Sequence, residues 1–148
     1  MTANEADRAW LRKTIELAKR CPPAHNAFSV GAIIVAADGT EIATGYSRET
    51  DAKVHAEEAA LTKAGNDHRL PTATLYSSLE PCGERMSRPR PCAELIIESG
   101  IRRVVYAWRE PPDFVAVPRG HQMLLHAGLE TIQLPDVQDS SERDEGRR

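Results

Sequence analysis

Residues 72–108 read TATLYSSLEPCGERMSRPRPCAELIIESGIRRVVYAW, and their order decides the fold class. Thr72 to Leu79 reads as a strand. Residues 82–90 form a polar loop rich in Arg and Pro. Residues 91–99 make a short helix, with Pro91 in its first turn and Gly100 closing it. Arg102 to Trp108 is a second strand, built on Val104, Val105 and Tyr106. A strand, a helix and a strand in this sequence imply a βαβ unit with parallel pairing.

The pattern extends in both directions. Residues 4–20 read as an amphipathic helix, with Ala6, Trp10, Leu11, Ile15, Leu17 and Ala18 at roughly helical spacing. Asn4 suits its N-cap, Asp7 can reach back to that cap, and Pro22-Pro23 stop the helix near Cys21. Val30 and Ile33-Ile34-Val35, the Asp38-Gly39 turn and Ile42 to Tyr46 predict a β-hairpin. Residues 51–65 read as a helix with an alanine-rich face (Ala56, Ala59, Ala60) and Gly65 as its cap. After Trp108, Gly120 to Ala127 suggests a helix stopped by Gly128, and Leu129 to Leu134 a last strand.

A length of 148 residues fits one domain, here residues 1–134, followed by a tail over 135–148 with five acidic residues and three Arg. That tail is expected to be disordered or loosely attached. The net charge of -3 argues against a nucleic-acid footprint, and no apolar run approaches a membrane span. With no apolar leader at the N-terminus, the expected compartment is the cytoplasm. The three cysteines, Cys21, Cys82 and Cys92, fit a disulfide scaffold poorly and point to metal binding, catalysis or packing.

Three short stretches carry the chemistry. They are His55-Ala56-Glu57 at a helix start, Pro81-Cys82 past a strand end, and Pro91-Cys92 at another helix start. Imidazole and two thiolates are good zinc ligands, and helix N-termini stabilise thiolates. Three protein ligands leave a fourth position for water, as in catalytic zinc sites. Glu57, two residues from His55, is placed to move protons without being a ligand.

These residues resemble the zinc-dependent cytidine deaminase superfamily and its H-x-E…P-C…C pattern. Over residues 4–134, Leu79-Glu80-Pro81-Cys82, Pro91-Cys92-Ala93-Glu94-Leu95 and Ser99-Gly100-Ile101 look most like the deaminase domain of riboflavin-biosynthesis proteins of the RibD type. Nine residues, Gly83 to Pro91, separate the two cysteines, close to that group's spacing. Asn26-Ala27-Phe28-Ser29-Val30-Gly31 is similar to the free-nucleoside enzymes instead. The resemblance implies a three-layer α/β/α sandwich around a mixed five-stranded sheet. It implies Zn2+ held by His55, Cys82 and Cys92, with Glu57 as the proton shuttle. The backbone N–H groups of Ala56 and Cys82 face the reacting centre, and Asn26 contacts the sugar or base. The implied reaction is hydrolytic deamination of a small free pyrimidine-like nucleotide, nucleoside or base. A homodimer or homotetramer is implied by resemblance alone. The alternatives are deamination of adenosine or cytidine within nucleic acid, and a non-catalytic zinc-binding module.

Arg85, Ser87, Arg88 and Arg90 in the loop between the cysteines could clamp a substrate phosphate, or be a solvated loop. Trp108 and Phe114 could stack on a base or pack in the core, and core packing is the favoured reading for Phe28 and Tyr46. Cys21 reads as a structural thiol. His25, Asp51, His68, His121 and His126 read as surface or capping groups.

Overall fold

The computed structural model describes residues 4–23, 29–83, 90–108 and 119–137. Helix α1 (Glu5–Ala18) starts at Asn4 with the expected reciprocal cap: Asn4 Oδ1 accepts from the Asp7 N–H, and Asp7 Oδ2 accepts from the Asn4 N–H. Strands β1 (Gly31–Val35) and β2 (Glu41–Tyr46) form the hairpin, and Asp38 accepts from the Thr40 N–H within its turn.

Helix α2 (Ala56–Ala64) begins five residues later than the helical reading of 51–65. The reason is local. Asp51 turns back to accept from the Lys53 N–H, an Asx turn that competes with helix. His55 is therefore the extended N-cap residue, with φ -91° and ψ 159°. Strand β3 (Thr74–Leu79) likewise starts two residues late, because Leu70–Thr72 forms a 3-10 turn containing Pro71. Helix α3 (Cys92–Ser99), strand β4 (Arg103–Trp108), helix α4 (Gly120–His126) and strand β5 (Glu130–Gln133) complete the chain order.

The sheet has the order β2-β1-β3-β4-β5. The β1–β2 and β1–β3 pairs are antiparallel, and the β3–β4 and β4–β5 pairs are parallel. This is the expected mixed five-stranded sheet. Helix α1 covers one face with Leu11 and Ile15 against Ile33, Val35, Tyr76 and Val105. On the other face Ala56 and Ala60 of α2, Ala93 and Ile96 of α3 and Leu124 of α4 pack on Ala32, Ile34, Leu75 and Val104. The layers are thus α/β/α. Val137, inside the stretch read as a tail, is buried with Leu134 in the α1-side core, and Asp136 pairs with Arg8 at 2.7 Å. The remainder of that tail lies outside the described residues.

Two glycines set how closely helices approach the sheet edge that bears the chemistry. A Cβ at Gly45 of β2 would lie 2.3 Å from the Ala56 carbonyl oxygen and 2.6 Å from the Ala60 nitrogen. The first turn of α2 therefore rests directly on the β2 backbone. A Cβ at Gly120 would lie 1.7 Å from the Pro81 carbonyl oxygen, so α4 starts flush against the Pro81-Cys82 turn.

Candidate active site

The parallel pairing of β3 and β4 brings the end of β3 to the same rim as the starts of α2 and α3. His55 stands before the first turn of α2, Cys82 three residues past β3, and Cys92 at the first position of α3. Cys82 and Cys92 are buried and His55 is partly exposed. Their ligand atoms all lie within 4.8 Å of one another. His55 Nδ1 is 3.6 Å from Cys82 Sγ and 3.4 Å from Cys92 Sγ. A tetrahedral zinc places a nitrogen and a sulfur ligand about 3.6 Å apart, so the spacing fits a shared ion. Among the described residues this trio is the group that could hold a metal.

Backbone hydrogen bonds lock the two cysteine segments together. Pro91 offers no side-chain cap to α3. Cys82 takes that place: its Sγ accepts from the Cys92 N–H at 3.2 Å, and its carbonyl accepts from the Ala93 N–H at 3.0 Å. Hydrogen bonding from Cys92 holds the Cys82 thiol down to about 4, helped by His55 and opposed by burial. The thiolate, the form that binds metal, is thus the stable form of Cys82.

Glu57 is buried in the first turn of α2, 4% exposed. Burial raises its pKa, and the nearby Cys82 charge adds to this; His55 and a hydrogen bond from Ser77 act the other way. The Ser77 hydroxyl on β3 lies 2.8 Å from Glu57 Oε2. Ala56 is fully buried between His55 and Glu57. The structure thus gathers His55, Ala56, Glu57, Cys82 and Cys92 on one rim.

The chain matches the model of the cytidine and deoxycytidylate deaminase zinc-binding region over residues 4–108. It belongs to that deaminase family. It is 37% identical over 138 residues to the diaminohydroxyphosphoribosylamino-pyrimidine deaminase of Schizosaccharomyces pombe, covering 91% of this chain and 34% of the relative. It is 39% identical over 127 residues to the riboflavin biosynthesis protein RibD of Aquifex aeolicus, covering 85% of this chain and 34% of the relative. The chain therefore spans about a third of the length of these curated relatives. Among solved structures, the Aspergillus oryzae Rib2 deaminase in complex with DARIPP, a C-terminal deletion mutant, superposes with a TM-score of 0.76. That match is 28% identical and covers 94% of this chain and 87% of the other. Acinetobacter baumannii RibD, form 1, gives a TM-score of 0.74 at 33% identity, covering 94% of this chain and 37% of the other. The dCMP deaminase of cyanophage S-TIM5, at 21% identity and a TM-score of 0.65, shares the fold.

Within this deaminase-family domain the other sequence expectations fall unevenly. Asn26, Arg85, Ser87 and Arg88, with His25, Phe28 and Phe114, lie outside the described residues. Arg90 pairs with Glu94 at 3.1 Å and with Glu98, both on α3, so its guanidinium lies along that helix. Trp108 ends β4 and packs in part against the α1-side core, to which Trp10 and Ile132 also contribute. Cys21 is half-buried and donates to the Val30 carbonyl, as a structural thiol would. His121 is held at the start of α4: its backbone N–H donates to the buried Glu80 carboxylate at 2.8 Å, and its ring lies 2.7 Å from the Tyr106 hydroxyl.

Sequence reasoning missed Ser77, Gly45 and Gly120. The signal for Ser77 was present, a hydroxyl in the alternating row Leu75, Ser77, Leu79 where apolar residues are otherwise expected. Gly45 and Gly120 carry no local signal, because what they touch is distant in sequence.

Proposed function

We propose that this chain is a hydrolytic deaminase that replaces the exocyclic amine of a small free aminopyrimidine nucleotide with a carbonyl oxygen and releases ammonia. The observation that carries this reading is the meeting of His55, Cys82 and Cys92 beside the buried carboxyl of Glu57. Thiolate and imidazole donors suit zinc, and Zn2+ is the cofactor assigned here, held by those three residues. When bound, zinc supplies the Lewis acidity that makes a water nucleophilic near pH ~7. Glu57 would accept the two protons of the attacking water in turn on a carboxyl oxygen, passing one to the ring nitrogen and the other to the departing amine. Burial raises its pKa from the ordinary carboxylate value, which favours holding a proton between the two transfers. The N–H groups of Ala56 and Cys82 face the reacting centre.

A phosphoribosylated diaminopyrimidine is the substrate favoured, in line with the relatives named for it. Asn26 would contact the sugar or base, and Arg85, Ser87 and Arg88 would hold the phosphate. The net charge of -3 favours a small-molecule substrate over nucleic acid. Among the described residues no helix is long and apolar enough to cross a membrane. We read the protein as a cytoplasmic homo-oligomer with its catalytic domain in residues 1–134.

The test is ammonia release by zinc-loaded protein from the diaminopyrimidine ribotide, dCMP, deoxycytidine, cytidine, cytosine, guanine and adenosine. Release from the ribotide, or from dCMP, with little from unphosphorylated compounds is the expected result. Release confined to unphosphorylated compounds would remove the phosphate clamp. Silence across the panel with zinc bound would favour the non-catalytic module instead.

A further inference from the structure

Ser77 occupies a position that the sheet's alternation reserves for apolar side chains. Leu75, two residues before it, sits in the core beneath α2 and α3, and Leu79, two residues after it, packs partly against the same core. Its cross-strand neighbours are Ala32 on β1 and Tyr106 on β4. Ser77 is fully buried, on the central strand of the five. A buried hydroxyl is costly unless it is hydrogen-bonded.

Its three contacts explain why it is tolerated. Ser77 Oγ lies 2.8 Å from Glu57 Oε2 and 2.7 Å from the Leu79 carbonyl oxygen, and it accepts from the Leu79 N–H at 3.3 Å. A hydroxyl has one hydrogen to donate and two lone pairs. When Glu57 is a carboxylate, Ser77 donates its hydrogen to Oε2. When Glu57 carries the proton in transit, that proton sits on the other carboxyl oxygen, from which it can leave, and Oε2, now a carbonyl oxygen, still accepts from the Ser77 hydroxyl. The Ser77–Oε2 hydrogen bond thus persists in both states without a heavy atom moving, and no proton leaves Ser77.

We propose that Ser77 is the positioning residue for Glu57: the hydroxyl on the rigid central strand holds the carboxyl in one orientation through both halves of its proton transfer. The inference deepens the deaminase reading and rests on it. Ser77 acts through Glu57 and is given no contact with the substrate.

The experiment uses the full chain, zinc-loaded, as wild type, Ser77→Ala, Ser77→Thr, Glu57→Ala and the Ser77→Ala/Glu57→Ala double variant. Acid–base catalysis is worth about 100- to 10,000-fold, and a misoriented carboxyl forfeits part of it, so Ser77→Ala should lower kcat by about 10- to 100-fold. KM should stay within about twofold, since ground-state binding is untouched. Zinc per chain should be unchanged, and Ser77→Thr, which keeps the hydroxyl, should recover most of kcat. A kcat per zinc-loaded chain equal to wild type, or kcat and KM moving together, overturns the proposal. Thermal unfolding of the same proteins gives a reading independent of turnover. The Tm loss from Ser77→Ala should shrink when Glu57 is already Ala, and equal losses in both backgrounds overturn the Ser77–Glu57 contact. If Ser77→Thr does not fold, the kcat–KM split of Ser77→Ala and the unfolding cycle decide. A silent wild type with coupled Tm losses upholds the contact and overturns the deaminase reading.

Discussion

Replacing Glu57 by Gln keeps the outline of the side chain and removes its acid. Ligands and fold are untouched, so zinc content should equal wild type while kcat falls by about 100- to 10,000-fold. Ammonia release and elemental analysis on one preparation check both halves. His55→Ala or Cys92→Ala acts on the other arm of the site. Each removes one of three ligand atoms that lie within 4.8 Å of one another. The remaining two make a poor zinc site, so zinc per chain should fall towards zero and turnover with it. Retained zinc in either variant would contradict the assignment of those ligands.

At the scale of elements, the site depends on how close the helices come to the sheet. The Ala56 carbonyl oxygen stands 2.3 Å from where a Cβ at Gly45 would be, and this contact is backbone on both sides. No rotamer change relieves it. Gly45→Val should therefore push the first turn of α2 away from β2 and carry His55 and Glu57 off the rim. Overpacking of this kind costs about 1–3 kcal/mol or more, and zinc affinity should drop along with Tm. Gly120→Ala tests the opposite wall, where the Pro81 carbonyl oxygen would lie 1.7 Å from the new carbon. It should displace the Pro81-Cys82 turn or α4, with a measurable loss of zinc affinity. An unchanged zinc titration would show that α4 does not brace that turn.

At the scale of the whole molecule, stability and chemistry sit at opposite ends of the sheet. Asp7 on α1 is buried at the starts of β3 and β4, where Arg103 grips both its oxygens at 2.9 and 2.8 Å and the Tyr76 hydroxyl donates at 2.6 Å. Burial alone would raise the Asp7 pKa, but the bonds from Arg103, Tyr76 and the Asn4 N–H outweigh it and leave the pKa lowered. A carboxyl depressed in the folded state adds stability above its unfolded pKa of ~3.9, and that stability is lost as pH falls through the lower folded value. Asp7→Ala removes the buried partner of Arg103, which keeps Glu130 at 3.2 Å, and should cost about 1–3 kcal/mol at neutral pH. The gap to wild type should narrow in urea unfolding below pH ~4. Metal would act on the same global equilibrium, because zinc held by the proposed site would favour the folded chain over the open one. Chelation should lower Tm, by more in wild type than in Cys92→Ala.

The element types and their order are legible in the amino-acid sequence, because helical and strand periodicities, caps and turns are local. The sequence also singled out His55, Glu57, Cys82 and Cys92, because the chemistry proposed for them is legible in residue type and spacing. The late start of α2 was local too, but it turned on a competition at Asp51 that periodicity does not resolve. Which residues touch across the fold is not legible there. Asp7 meets Arg103 across 96 residues of chain. Gly45 meets Ala56 and Ser77 meets Glu57 because α2 packs over β2 and β1 beside the central β3, and Gly120 meets Pro81 because α4 starts against the turn that follows β3. Such contacts depend on strand order and helix approach, which arise from packing summed over the whole chain. No window of neighbouring residues contains that information.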